Sequence, residues 1–242
     1  MKVCSKTDTG LVRQSNQDAC NGGLFQDGSA WAVVCDGMGG AKGGNIASSM
    51  AVEQISAQML SAYRPGMDGN SVKYLMTAAI FHANAVVYDM AKEHEDLRGM
   101  GTTVVAAVVA NGTAYVAHAG DSRAYLINEN GMKQLTTDHS MVQELVDNGD
   151  LTEQEARRHP QKNIITRALG VQPSIEVDYG EFAFSERSAL LLCTDGLTNY
   201  ADEGQICTLF KTMECKELAE KLVALAIEGG GGDNITVAIV GN

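Results

Sequence analysis

Residues 102–127 read T-T-V-V-A-A-V-V-A-N-G-T-A-Y-V-A-H-A-G-D-S-R-A-Y-L-I. Thr102 to Val109 is rich in β-branched residues, which favours extended backbone. Asn111-Gly112 follows, the strongest short signal for a tight hairpin turn, and Ala114 to Ala119 returns as a second strand. Ser122 to Ile127 adds a third, closed by Asn130-Gly131. Strands joined by such short turns pair antiparallel.

The pattern changes on both sides of this block. Upstream, Ala30 to Cys35 (A-W-A-V-V-C) reads as a buried strand. Asn45 to Leu60 places Ala47, Ala51, Ile55 and Met59 four residues apart, an amphipathic helix, and Val72 to Lys92 reads as a second long helix. Downstream, Ile175 to Phe184 and Ala189 to Cys193 read as strands. Lys216 to Ile227 is a helix with Leu218, Leu222 and Ala226 on one face, and Ile235 to Val240 is a last strand. Helices before, within and after blocks of hairpin strands indicate an α+β fold, and two antiparallel sheets covered by helices fit the pattern. No repeat, linker or proline-marked boundary divides the 242 residues, so residues 1–242 are expected to form a single domain.

Composition narrows the function. The net charge of -12 argues against nucleic acid, whose binding needs basic patches. None of the six cysteines has C-x-x-C spacing, so a structural zinc site is not expected. The N-terminal residues lack the apolar core of a signal peptide, and no run of about 18 apolar residues would span a membrane. Reduced thiols and a cytoplasmic location are the expectation.

The chemistry lies in the aspartates. Asp36, Asp195 and Asp233 sit at the ends of apolar runs or at the start of one, beside glycine or turn residues. A carboxylate so placed is held at the rim of a sheet, and several from distant segments suit a hard cation. Any one Asp-Gly pair is an ordinary turn. Asp27-Gly28 and Asp68-Gly69 stay in that class because no apolar strand leads into them.

The ordered set is far more specific. It runs Gly10-Leu-Val-Arg13-Gln-Ser-Asn-Gln-Asp18, then Asp36-Gly-Met-Gly-Gly40, Gly101-Thr-Thr103 and Ala119-Gly-Asp121-Ser-Arg123. It ends with Thr194-Asp195-Gly-Leu197 and Gly232-Asp233-Asn-Ile-Thr236. Across nearly the whole chain this resembles the compact bacterial form of the PPM family, the type 2C metal-dependent serine/threonine protein phosphatases. The resemblance implies a four-layer αββα sandwich, with two antiparallel sheets flanked by helical layers. It implies two Mn2+ or Mg2+ ions, with Asp36 bridging them, the Gly37 carbonyl also a ligand, and Asp195 and Asp233 completing the coordination of the second ion. Asp18 would act on the first ion largely through water, Arg13 would hold the substrate phosphate, and Asp121 matches a third-ion position. Asp36, Asp195, Asp233 and Arg13 are then the catalytic set.

Phosphorylated proteins, and a cognate serine/threonine kinase, are the implied partners of a monomeric enzyme. A metallophosphatase for small phosphoesters and a non-catalytic phosphoprotein-binding regulator are the alternatives. Met38 and Ala41 stand where many relatives carry histidine, which leaves the general acid unassigned. No C-x5-R loop follows Cys193, so cysteine phosphatase chemistry is not expected. Residues from about 140 to 169 form a flap-like stretch, helical then irregular, that is locally basic at Arg157, Arg158, Lys162 and Arg167.

Overall fold

A computed structural model describes residues 1–241, apart from the side chain of Ala41. The chain opens with β1 (Lys2–Asp8), β2 (Asp18–Leu24) and β3 (Ala30–Met38), then α1 (Gly40–Ala62) and α2 (Gly69–Glu93). A short β4 (Gly101–Thr102) leads to β5 (Val104–Ala110), β6 (Thr113–Ala119), β7 (Arg123–Asn128) and β8 (Gly131–Gln134). Next come α3 (Met141–Asp147), α4 (Glu153–Ala156), β9 (Asp178–Ala183) and β10 (Ala189–Cys193). The remainder is α5 (Asp195–Thr198), α6 (Glu203–Phe210), α7 (Cys215–Glu228) and β11 (Ile235–Gly241).

The 102–127 block folds as read. Asn111 and Gly112 take φ of 52° and 74°, the paired positive angles of a hairpin turn, and β5 pairs β6 antiparallel from Val104↔Ala119 to Ala110↔Thr113. One sheet has the order β2-β3-β5-β6-β9, with β4 paired to β3 off that path. The other has the order β1-β11-β10-β7-β8.

Three apolar clusters separate four layers. Trp31, Val33 and Cys35 of β3 pack with Ile55, Met76 and Ile80 of α1 and α2. Leu191, Val237 and Ile239 pack with Leu222, Val223 and Ala226 of α7. Between the sheets lie Ala30, Ala32 and Val34 of β3, Val105, Ala107 and Val109 of β5, and Leu190, Leu192, Ala238 and Val240. Central strands bury both faces, so they read as continuous apolar runs rather than alternating ones.

The same two-residue period positions the polar rim. Residues 30, 32 and 34 face the inter-sheet space, and Asp36 continues that face further along β3. Leu190 and Leu192 extend to Thr194, and Val240 and Ala238 extend back to Thr236. At one end of the sandwich, carboxylates and hydroxyls therefore replace the small apolar side chains of the middle layer.

Candidate active site

Asp36 lies inside β3, two residues before its end, rather than just beyond the strand. In the β2–β3 ladder it stands directly opposite Asp18. Two like charges facing each other across a strand pair repel, so the register itself places a local cost at this point. The Asp36 backbone is fixed on both sides. Its N–H donates to Thr103 Oγ1 (2.9 Å), while its carbonyl accepts from the Thr103 N–H and the Thr102 hydroxyl, both at 2.8 Å.

Gly37 has to be glycine. A Cβ there would lie 2.0 Å from the Gly44 carbonyl oxygen, where α1 crosses β3. A Cβ on Gly44 would in turn lie 2.6 Å from the Gly37 carbonyl oxygen. These two bare backbones let the first turn of α1 close over the end of β3.

Asp18 is buried. Its Oδ2 accepts from the Thr194 hydroxyl (2.9 Å), and the Thr194 Oγ1 accepts from the Thr236 N–H (3.0 Å). Its Oδ1 is buried with no hydrogen-bond partner. Such an atom carries an uncompensated desolvation cost unless something of opposite charge sits against it.

Asp195 opens α5 directly after β10, and its Oδ2 accepts from Asn199 Nδ2 (3.0 Å). Gly196 beside it meets the Asn234 carbonyl, which a Cβ would approach to 1.9 Å. Asp233 precedes β11 and takes Arg13 Nη2 on its Oδ2 at 2.8 Å. Asn234 stitches this corner together. Its Oδ1 accepts from the Gln17 N–H (2.8 Å), and its Nδ2 donates to the carbonyls of Thr9 (2.9 Å) and Ser15 (3.0 Å). The loop carrying Arg13 is thereby tied to the segment carrying Asp233. Arg13 remains half exposed, with its guanidinium held firmly protonated by Asp233 first and by Asp36 and Asp195 beyond it.

Electrostatics shows these groups share one site. Burial pushes the Asp18 carboxyl up to about 7, and Asp195 and Asp233 push it the same way. Burial raises Asp36 well above the usual carboxylate range, and Asp18, Asp195, Asp121 and Asp233 all add to it. Asp121, on the turn between β6 and β7, is likewise pushed up to about 7 by burial and then by Asp195 and Asp138. Burial and Asp233 raise Asp195. Burial first, and then repulsion among carboxylates from five segments with one orphaned oxygen, make an arrangement that bound cations would relieve. Hard oxygen donors of this type suit Mn2+ or Mg2+.

The structure makes Asp18, Asp36, Asp121, Asp195 and Asp233 electrostatic neighbours, pairs Arg13 with Asp233, and sets Gly37 next to Asp36 under the first turn of α1. The two Asp-Gly pairs set aside are indeed structural. Asp27 accepts the Ser29 N–H in the β2–β3 turn, and Asp68 caps α2 by accepting the Ser71 N–H. The side chain of Ala41 lies outside the described residues. Thr102, Thr103 and Thr194 were legible only as motif neighbours. Thr194 adjoins Asp195 in the sequence, whereas no aspartate stands near Thr102 and Thr103 to mark them.

The 140–169 stretch holds α3 and α4. Ser140 caps α3, and Thr152 with Glu155 forms a reciprocal capping box on α4. Its basic residues divide. Arg157 and Arg158 are exposed, and Lys162 Nζ reaches Asn199 Oδ1 (2.9 Å), one turn from Asp195. Arg167 is instead committed to Asp178 (2.9 Å) and Glu176 (3.4 Å).

Comparison with known proteins agrees with this geometry. Residues 12–225 match the family described as protein phosphatase 2C. The chain is 39% identical over 238 residues to the serine/threonine phosphatase stp of Listeria welshimeri, covering 97% of this chain and 93% of that one. The structure of the S. agalactiae serine/threonine phosphatase superimposes with a TM-score of 0.92 at 35% identity, covering 100% of this chain and 99% of that one. The catalytic domain of the protein phosphatase PstP in complex with two manganese ions does so at 0.85 and 31%, covering 98% and 96%.

Proposed function

This chain belongs to the protein phosphatase 2C family and is a metal-dependent serine/threonine protein phosphatase, and from that premise we propose how its own residues divide the work. Asp36, the Gly37 carbonyl, Asp195 and Asp233 hold two divalent cations. Asp18 would act on the first of them largely through water, and Asp121 would serve a third. The observation that carries this reading is the buried, unpartnered Asp18 Oδ1, in a group of four carboxylates (Asp18, Asp36, Asp121 and Asp195) raised first by burial and then by neighbouring carboxylates. When bound, manganese or magnesium supplies the Lewis acid that activates water at neutral pH and offsets charge on the phosphoryl group.

The remaining roles belong to the protein. Arg13 presents a planar fork matched to phosphate oxygens. Its anchor on Asp233 and the Asn234 hydrogen bonds hold the fork at the mouth of the site. Thr102 and Thr103 fix the backbone of Asp36, so the central carboxylate is preorganised before substrate arrives. Thr194, donating to Asp18, keeps that carboxylate aimed inward.

We further propose that the substrates are phosphorylated proteins, a serine/threonine kinase among them, met by a monomeric enzyme in the cytoplasm. Among the described residues no helix is long and apolar enough to cross a membrane. All six cysteines are free thiols, which supports a reducing compartment. Arg157 and Arg158 on the 140–169 segment supply exposed positive charge in a chain of net charge -12, and this supports a segment that selects phosphorylated protein. The test is phosphate release from a phosphothreonine peptide and from a nucleotide, each titrated with manganese and then with chelator. Manganese-dependent release favouring the peptide is the expected result. Equal or greater turnover of the nucleotide would make small phosphoesters the substrates.

A further inference from the structure

Asp121 sits on the Gly120-Asp121-Ser122-Arg123 turn, and that turn is gripped at both ends by two consecutive residues. Asp138 accepts from Arg123 through Nε (2.9 and 3.1 Å) and Nη2 (2.6 Å), a two-pronged pair. His139 binds Gly120 reciprocally: its N–H donates to the Gly120 carbonyl (3.0 Å), and its Nδ1 accepts the Gly120 N–H (3.1 Å). Gly120 has a φ of 110°, and a Cβ there would lie 2.7 Å from the Thr103 side chain, so the backbone comes close by necessity. The far side of the turn is held too, because Ser122 Oγ shares a hydrogen bond with Thr103 Oγ1 (2.7 Å), which also accepts from Asp36.

His139 reaches further. Its carbonyl accepts from the Thr166 N–H (2.8 Å), and the Met141 N–H donates to the Ile164 carbonyl (2.9 Å), so the two legs of the 140–169 segment meet at this residue. Because Nδ1 accepts from Gly120, the neutral ring carries its proton on Nε2. Nε2 faces Asp178 Oδ2 at 3.4 Å, and Arg167 from the returning leg grips the other oxygen of Asp178 at 2.9 Å. His118 stacks on the ring, with centroids 4.7 Å apart and planes 9° apart, and is itself fixed by the Thr137 carbonyl (2.9 Å). His118, His139 and Asp178 bring ligand-type atoms within 4.8 Å of one another. Arg167 already supplies positive charge at this point, with its Nη1 3.2 Å from His139 Nε2 and 2.9 Å from Asp178 Oδ1.

We propose that Asp138 and His139 form a two-point clamp that sets the position of Asp121, with His139 the positioning residue that joins this carboxylate to the root of the 140–169 segment. The clamp rests on the reading of Asp121 as a third-ion ligand only for its functional consequence. The geometry of the turn stands apart from it.

Two substitutions divide the ring's contacts. His139→Asn keeps an acceptor where Nδ1 stands and loses the reach to Asp178. His139→Gln keeps a donor toward Asp178 and leaves the Gly120 N–H unpaired. Hydrogen exchange of the 120–123 amides in chelator, circular dichroism, and calorimetric titration with manganese are measured for both, alongside Asp121→Ala. In His139→Gln, Gly120 should exchange about tenfold faster and the weakest manganese should bind about tenfold more weakly, the effect of one lost hydrogen bond. His139→Asn should match the parent protein in both, while the amides of residues 140–169 exchange faster. Wild-type behaviour of both variants, or equal impairment of both, overturns the clamp. If Asp121→Ala leaves the manganese titration unaltered, the third-ion reading fails, and the Gly120 exchange rate still decides the clamp.

Discussion

Replacing Asp18 with asparagine is expected to stabilise the metal-free protein while weakening its grip on manganese. The magnitude follows from the site. The Asp18 carboxyl moves from an ordinary 3.8 to about 7 through burial first, opposed by hydrogen bonds from Thr236 and Thr194 and reinforced by Asp195 and Asp233. About three pH units correspond to ~4 kcal/mol between the ionised and neutral forms. The sign follows from proton counting. Between about pH 4 and pH 7 the folded protein holds a proton that the unfolded chain has released, so stability falls as pH rises through that window. Above pH 7 the cost of the buried charge is fully present.

Asparagine carries no charge, and its side-chain oxygen can still accept from the Thr194 hydroxyl. In chelator at pH 8 the variant should gain up to ~4 kcal/mol, and water entering the site reduces this. A Tm increase of roughly 5–10 °C is expected for a chain of this size. At pH 5 the wild-type group is largely protonated and the difference should shrink to about 1–2 kcal/mol, the remaining cost of holding a proton that the unfolded chain has released. Saturating manganese should reverse the order, because only the wild type keeps the full set of charges that binds and so stabilises. Thermal scans at pH 5 and pH 8, with chelator and with manganese, test all four corners. A variant less stable than wild type in chelator at pH 8, or a gain equal at both pH values, would refute the reasoning.

Other perturbations have similarly direct outcomes. Arg13→Ala should raise KM for an aryl phosphate by roughly ten- to a hundredfold, the worth of a charged hydrogen bond, with manganese affinity little changed in a calorimetric titration. Replacing Arg157 and Arg158 together with alanine should raise KM for a phosphoprotein several-fold and alter aryl phosphate hydrolysis less than about twofold; equal effects on both substrates would remove the case for selection by this segment. Asn234→Ala removes the partners of Gln17, Thr9 and Ser15 at a buried corner, and urea denaturation should show a loss of about 2–4 kcal/mol.

The central strands and long helices were legible because burial writes a strong pattern. A strand covered on both faces, such as β5, spells V-V-A-A-V-V, and α2 repeats apolar residues at helical spacing. β1 and β2 went unread for the opposite reason. K-V-C-S-K-T-D forms an edge strand whose residues are partly or fully exposed, and D-A-C-N-G-G-L mixes in glycines, so neither alternates clearly. The short β8 and the helix α6 carry similarly weak signals.

At the site, the aspartates stood out because they interrupt apolar runs. The facing of Asp18 and Asp36 did not, since register is a property of two strands and one of them was unread. The same limit hid the Asp138–His139 clamp. Nothing in D-H-S at 138–140 distinguishes a surface turn from a pair gripping residues 120 and 123. Arg167 looked like part of a basic surface, and only the fold shows Asp178 and Glu176 neutralising it.

The most direct test of the carboxylate site as the seat of hydrolysis is Asp36→Asn, followed by calorimetric manganese titration and phosphate release from a phosphothreonine peptide. Asp36 lies at the centre of the cluster and its backbone is fixed by Thr102 and Thr103, so the change removes charge without moving the frame. Weakened manganese binding with turnover reduced about a thousandfold or more at saturating metal is the expected result. Turnover near that of the wild type at saturating manganese would contradict the account.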